Sequence, residues 1–194
     1  MSLLNVVVVE ETADDKIFQN ILQDNSCQVF HLTVAKFAVD LLLTITPDII
    51  IFNVAKPKEA IFQIIIDINQ NYRIPVVLFS EDHNTETINK VIKAGASAYI
   101  VDGIETKRIK SIIDIAIIRF KEQLALKDEL AETKSKLEDR KLIDRAKGIL
   151  IKSQNFTEDQ AYHAIRKLAM ERNVSIAEMA KNVIAMTGLF SPNN

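Results

Sequence analysis

Tryptophan is absent from the 194-residue chain and aromatic residues make up only 6%, so any core must be built from aliphatic side chains. Glycine and proline number four each, which leaves little chain for long irregular segments. The single cysteine, Cys27, excludes an internal disulfide and fits a reducing compartment. No apolar run approaches the roughly 20 residues that a membrane-spanning helix needs. The opening Met1-Ser2-Leu3-Leu4-Asn5 has neither the basic start nor the cleavage site of a secretion signal, so the expected location is the cytoplasm. His31, His83 and His163 stand far apart, without a matching nucleophile or metal-ligand spacing. No catalytic residue, metal site or cofactor is therefore expected, and an enzyme is disfavoured.

The chain is rich in hydrophobic residues, 48%, enough for a sizeable core. The formal net charge of -2 hides an asymmetry. From Arg140 onward nine basic residues face five acidic ones, a net of +4, which leaves -6 for the rest. A basic end on an acidic body hints at a nucleic-acid contact, against the plainer reading that such residues only solvate helix faces.

Apolar runs alternate with helical periodicity over the first half. Leu3 to Val9, Cys27 to Leu32, Asp48 to Asn53, Pro75 to Phe79 and Ser97 to Val101 read as buried parallel strands. Between them lie helical patterns at about residues 14–23 (Ile17, Phe18, Ile21, Leu22), Lys36 to Thr46, a segment opened by Pro57 with Ile61, Ile64, Ile65 and Ile68 inward, and Thr85 to Ala94. Gly95 is the expected left-handed cap of the last of these. The spacing predicts an α/β fold with a doubly wound, five-stranded parallel sheet over residues 1–104.

The pattern then changes. Residues 105–152 read as one very long helix, heavily charged in its middle, with Leu124, Leu126, Leu130 and Leu137 as sparse apolar points. Leu130 and Leu137 lie seven apart, in phase with Ile109 and Ala116, although Gln123 interrupts the series. A helix this polar needs a partner, and a coiled coil between two copies, over a connector at residues 105–140, is the favoured arrangement over a lone spacer helix. Residues 141–190 then read as a three-helix domain. Thr157 with Gln160, and Ser175 with Glu178, fit capping boxes. Ala161, Ile165, Leu168 and Ala169, then Met179, Ala180, Val183 and Met186, form stripes that can close a core with Leu142, Ala146, Ile149 and Leu150.

In open α/β sheets chemistry gathers at the carboxyl ends of the strands. Here those ends carry Glu10 and Glu11, Asn53, Ser80 and Asp102. An amide at Asn53 cannot act as an anionic nucleophile and is a poor ligand for a hard cation. On these residues, about residues 3–103 resemble the receiver domain of bacterial response regulators. The resemblance puts Glu10 and Glu11 in the place of the magnesium-binding acids, Asn53 in that of the phosphate-accepting aspartate, Ser80 in that of the fourth-strand Ser/Thr, and Asp102 in that of a lysine. Asn53 and Asp102 therefore imply a receiver that cannot be phosphorylated in the usual way. Glu10, Glu11 and Asp102 are expected to share an acidic pocket, either open to a cation or merely solvated, and the plainer role of Ser80 is to cap a turn.

The tail contains Arg145-Ala146-Lys147-Gly148-Ile149-Leu150-Ile151-Lys152, then Thr157-Glu158, Ala161-Tyr162, Ile165-Arg166-Lys167 and Ala169-Met170. This resembles the ANTAR domain, an RNA-binding module of transcription antiterminators, in particular those of nitrate and nitrite assimilation and, next, the amidase-operon regulators. The resemblance implies binding to paired hairpins of a leader transcript. Arg145, Lys147, Lys152, Arg166 and Lys167 can neutralise phosphates, Tyr162 can stack on an unpaired base, Gly148 permits close approach, and Thr157 belongs to the same motif. The plainer roles are helix packing for Gly148, a core edge for Tyr162 and a helix C-terminal charge for Lys152. The expected function is an RNA-binding antitermination regulator, controlled by a partner protein, dimeric through the long helix, with no membrane partner. The alternatives are a regulator phosphorylated at a non-standard site, a DNA-binding regulator, and a protein-binding scaffold.

Overall fold

The computed structural model describes residues 3–12, 18, 22, 27–102 and 106–190. Five strands form one parallel sheet: β1 (Leu4–Glu10), β2 (Cys27–Thr33), β3 (Ile49–Asn53), β4 (Val76–Ser80) and β5 (Ala98–Val101), in the order β2-β1-β3-β4-β5. The valine and isoleucine runs sort by alternation. Val7, Val9, Ile50, Phe52, Val76 and Leu78 enter one buried cluster, and Val6, Val8, Ile49, Ile51, Val77 and Phe79 enter another. Both faces are thus covered, which is why these strands read as continuous rather than alternating.

The first face is covered by α1 (Leu41–Ile45), α2 (Glu59–Asp67), a π turn at Ile68–Tyr72 and α3 (Thr85–Ala94). Ile61, Ile65 and Ile68 point inward as the spacing predicts, while Ile64 is only partly buried. α3 begins where the Asn84 side chain accepts from Glu86 N–H at 2.8 Å. It ends at Gly95, whose φ of 110° is left-handed. The second face carries Phe18 and Leu22 together with Ile109, Ile113 and Ala116 of the long α4 (Thr106–Gln154). The rest of the helix expected at about residues 14–23 lies outside the described residues.

The helix expected over Lys36 to Thr46 is not formed. Val34–Lys36 is a short 3-10 turn, Phe37 is extended, and only Leu41–Ile45 is α-helical. The extended backbone lets the Phe37 ring meet Phe52 edge-on, centroids 5.7 Å apart, and tertiary packing overrides the local pattern there. Thr46, at φ 46°, ends α1 ahead of Pro47.

The chain forms two compact units, Met1–Leu124 and Ala125–Asn194, which divide within α4. The sequence boundaries at 104 and 140 differ from this division because Ile109, Ile113 and Ala116 are core residues of the first unit. In the second unit, α4, α5 (Glu158–Glu171) and α6 (Ile176–Phe190) enclose Ala146, Ile165, Ala169, Met179 and Ala180. Leu168 and Met186, expected to face this core, are instead 38% and 52% exposed. Ala161, Ile165 and Ala169 already fill the inward stripe at four-residue spacing, and Leu168 falls beside it. No helix among the described residues is long and apolar enough to cross a membrane.

Candidate functional site

At the carboxyl end of the sheet, three side chains from three adjacent strands converge. Register places Glu10 opposite Asn53 across β1 and β3, and Val8 opposite His31 across β1 and β2. His31 is therefore one pleat back from Glu10 on the same face. The Glu10 carboxylate is only 1% exposed. Its Oε1 accepts from Asn53 Nδ2 at 3.2 Å, and its Oε2 lies 3.2 Å from His31 Nδ1. The Asn53 amide is the hydrogen-bond donor to this carboxylate so removed from water, and truncating it would cost on the order of 1–3 kcal/mol.

The other strand-end residues do not join this cluster. Glu11 is exposed. Ser80 is buried and serves the turn beyond β4: its Oγ donates to the Ala55 carbonyl at 2.9 Å and accepts from Asp82 N–H at 3.1 Å. Asp102 has left-handed backbone, φ 42°, and its carboxylate, 61% exposed, meets His83 Nε2 at 2.7 Å. The acidic pocket expected from Glu10, Glu11 and Asp102 is not assembled, because Glu10 is drawn inward by its donors and Asp102 is held outside by His83.

These residues do not fit the magnesium that the receiver resemblance implies. A hard divalent ion needs several oxygen ligands in near-octahedral order. Glu10 Oε1 accepts from the Asn53 amide nitrogen, its Oε2 faces the His31 ring, and the Ala55 carbonyl already accepts from Ser80 Oγ and Glu81 N–H. Among the described residues no group of three or more His, Cys, Asp and Glu side chains could hold a metal. Sequence reasoning missed His31. Its position two residues before the end of β2 was a usable signal, but only the strand pairing puts it beside Glu10.

In the second unit, Thr157 caps α5 through both halves of a capping box: its Oγ1 accepts from Gln160 N–H at 3.3 Å, and its own N–H donates to Gln160 Oε1 at 2.9 Å. Glu178 N–H donates to Ser175 Oγ at 3.0 Å in the same manner. Lys147 has little exposure, 16%, and its Nζ lies 2.8 Å from both Asp144 and Glu158. Hydrogen bonds to Asp144 and then Glu158 raise the Lys147 pKa, and the Lys147 bond holds the Asp144 carboxyl below its ordinary range. Lys147 thus ties α4 to the first turn of α5. Arg145, Lys152 and Arg166 are exposed. Gly148 is half-buried, and a Cβ placed there would meet nothing within 4 Å, so neighbouring packing does not demand glycine.

Tyr162 is 36% exposed, its ring edge-on to His163 at 6.0 Å. His163, Arg166, Lys167, Met170 and Glu171 line an open groove of about 330 Å³ along α5. Lys167 approaches Glu171 at 3.9 Å, and Met170 is 72% exposed. His163 and Met170 were not among the predicted contacts, although their spacing of seven with Arg166 and Lys167 between them marks one helix face.

Comparison with known proteins agrees with this division. Residues 131–184 match the ANTAR domain. The chain is 30% identical over 151 residues to the transcriptional regulatory protein PdtaR of Mycobacterium tuberculosis, an alignment covering 78% of this chain and 74% of that protein. It is 34% identical over 89 residues to the nitrate regulatory protein of Klebsiella oxytoca, covering 46% of this chain and 22% of that one. The structure of the chemotaxis response regulator CheY4 of Vibrio cholerae superposes with a TM-score of 0.51 at 16% identity, over 59% of this chain and 99% of that one.

Proposed function

This chain belongs to the ANTAR-domain response regulators, transcriptional regulators with a receiver fold, and from that premise we propose that it is an RNA-binding antitermination factor whose receiver-like unit takes no phosphoryl group. The observation that carries the RNA reading is the outer face of α5, where exposed Arg166, Lys167 and Tyr162 adjoin an open groove within the matched domain. Cations there neutralise phosphates, and an exposed ring offers a stacking surface for an unpaired base. Arg145 and Lys152 extend the basic set, Thr157 holds the start of α5, and Lys147 engages RNA only by exchanging Asp144 and Glu158 for phosphate.

Asn53 and Asp102 support the second part of the reading. Asn53 offers no carboxylate at the end of β3 to form an acyl phosphate, and Asp102 adds an anion where phosphate charge would need a cation. Control then falls to a partner protein. A second copy of the chain is the proposed partner of α4, where Leu126, Leu130 and Leu137 are 64%, 54% and 53% exposed on an otherwise charged helix.

The test is affinity for leader-transcript hairpins over a salt series, with DNA of the same sequence as control. The double variant Arg166→Ala/Lys167→Ala is expected to weaken RNA binding and reduce the salt slope by about 1–2. Equal binding of RNA and DNA, or an unchanged slope in the variant, would count against this reading.

A further inference from the structure

The acid that a receiver would commit to a metal is committed here to the protein itself. Glu10 is sealed from water at 1% exposure, with one oxygen on the Asn53 amide and the other facing the His31 imidazole. The two donors come from the strands on either side of β1, so the arrangement is fixed by sheet register and not by a flexible loop. His31 is itself three-quarters covered, with 25% of its side chain exposed. Glu11 points to solvent, and Asp102 is engaged by His83. An incoming divalent cation would have to displace the Asn53 and His31 contacts of Glu10 and, among the described residues, would gain one carboxylate with no second acid turned toward it.

We propose that His31 and Asn53 together fill the place of the metal, Asn53 by its hydrogen bond to one oxygen of Glu10 and His31 by packing its ring against the other, so that the receiver-like unit is closed to divalent cations. This rests on reading the strand end as an altered receiver site. It assigns a role to His31, as the residue whose ring sits 3.2 Å from the second oxygen of Glu10 and positions it, and it makes Asn53 one half of a built contact and not merely a lost acceptor.

The experiment uses the full chain and manganese as probe, reading paramagnetic broadening of the backbone amide signals of Glu10, Asn53 and Ala55. In the wild type no saturable broadening is expected up to about 1 mM, the range of weak cation sites. The variant His31→Ala/Asn53→Asp, which removes both donors and adds an acid, is expected to show saturable broadening with affinity about tenfold or more above the wild type. If that variant does not fold, the single variants His31→Gln and Asn53→Asp are scored in the same way, and each is expected to gain affinity. Saturable binding at Glu10 in the wild type, or no gain in any folded variant, overturns the proposal. Wild-type cation binding without phosphoryl transfer would overturn it while leaving the proposed function standing, because that function requires only that no phosphoryl group is accepted.

Discussion

Thr157 and Gly95 show how single residues set the ends of elements. Both halves of the Thr157 capping box are made; Thr157→Ala removes the Oγ1 acceptor and leaves the Gln160 N–H without that partner, while the backbone N–H of residue 157 can still donate to Gln160. The expected loss is about 0.5–2 kcal/mol, seen as faster amide exchange in the first turn of α5, with Thr157→Ser restoring most of it. Gly95 has φ 110°, and a Cβ there would run into the Asn69 side chain, whose Nδ2 donates to the Gly95 carbonyl at 3.0 Å. Gly95→Ala is therefore expected to cost about 1–3 kcal/mol, measured as a lowered thermal midpoint of the first unit. An unchanged midpoint would mean that the α3 end has another way to close. Both positions were legible in the sequence, since a Thr-x-x-Gln box and a glycine after a periodic run are local signals. His31 was not, because its partner lies 21 positions away and only strand pairing makes them neighbours.

At the scale of elements, α4 changes environment along its length. Ile109 and Ala116 are buried, whereas Leu130 and Leu137, in the same heptad phase, are exposed. One stripe thus serves the sheet of the first unit at one end and is open at the other. An isolated helix so rich in charge gains little from propensity, so the open part calls for a second apolar surface. Leu130→Lys/Leu137→Lys is expected to convert a dimer to a monomer in sedimentation equilibrium while leaving the sheet intact. A wild-type monomer, or a variant that still dimerises, would remove this role. Lys36 to Thr46 shows the opposite case, where a helical pattern of apolar residues was broken because Phe37 gained more by reaching Phe52.

For the whole molecule, the question is where a signal enters. The strand ends of the first unit keep the receiver's architecture, and on the proposed reading Asn53, Asp102 and the Glu10 contacts disfavour a phosphoryl group and its metal. Asn53→Asp alone is accordingly expected to show no robust labelling by a small phosphodonor with magnesium. Efficient labelling of that variant would show that the remaining residues suffice. In the wild type, RNA affinity is expected to be the same with and without the phosphodonor; a phosphodonor-dependent change would count against the proposed control by a protein contact.

Alternating apolar runs and helical periods carried the architecture: five parallel strands, the long helix and the capped helices of the tail were readable because each rests on interactions a few residues apart. The identities of Asn53 and Asp102 carry the proposal that the usual phosphorylation is lost, which the labelling experiment tests. Which side chains meet at the strand ends was a different matter. Glu10 turned inward to His31 and Asn53, Asp102 turned outward to His83, and Lys147 turned to Asp144 and Glu158, each through partners supplied by another element or by a turn of left-handed backbone. Hydrogen bonds and ion pairs of that kind depend on register and burial, quantities that do not exist until the strands and helices have packed.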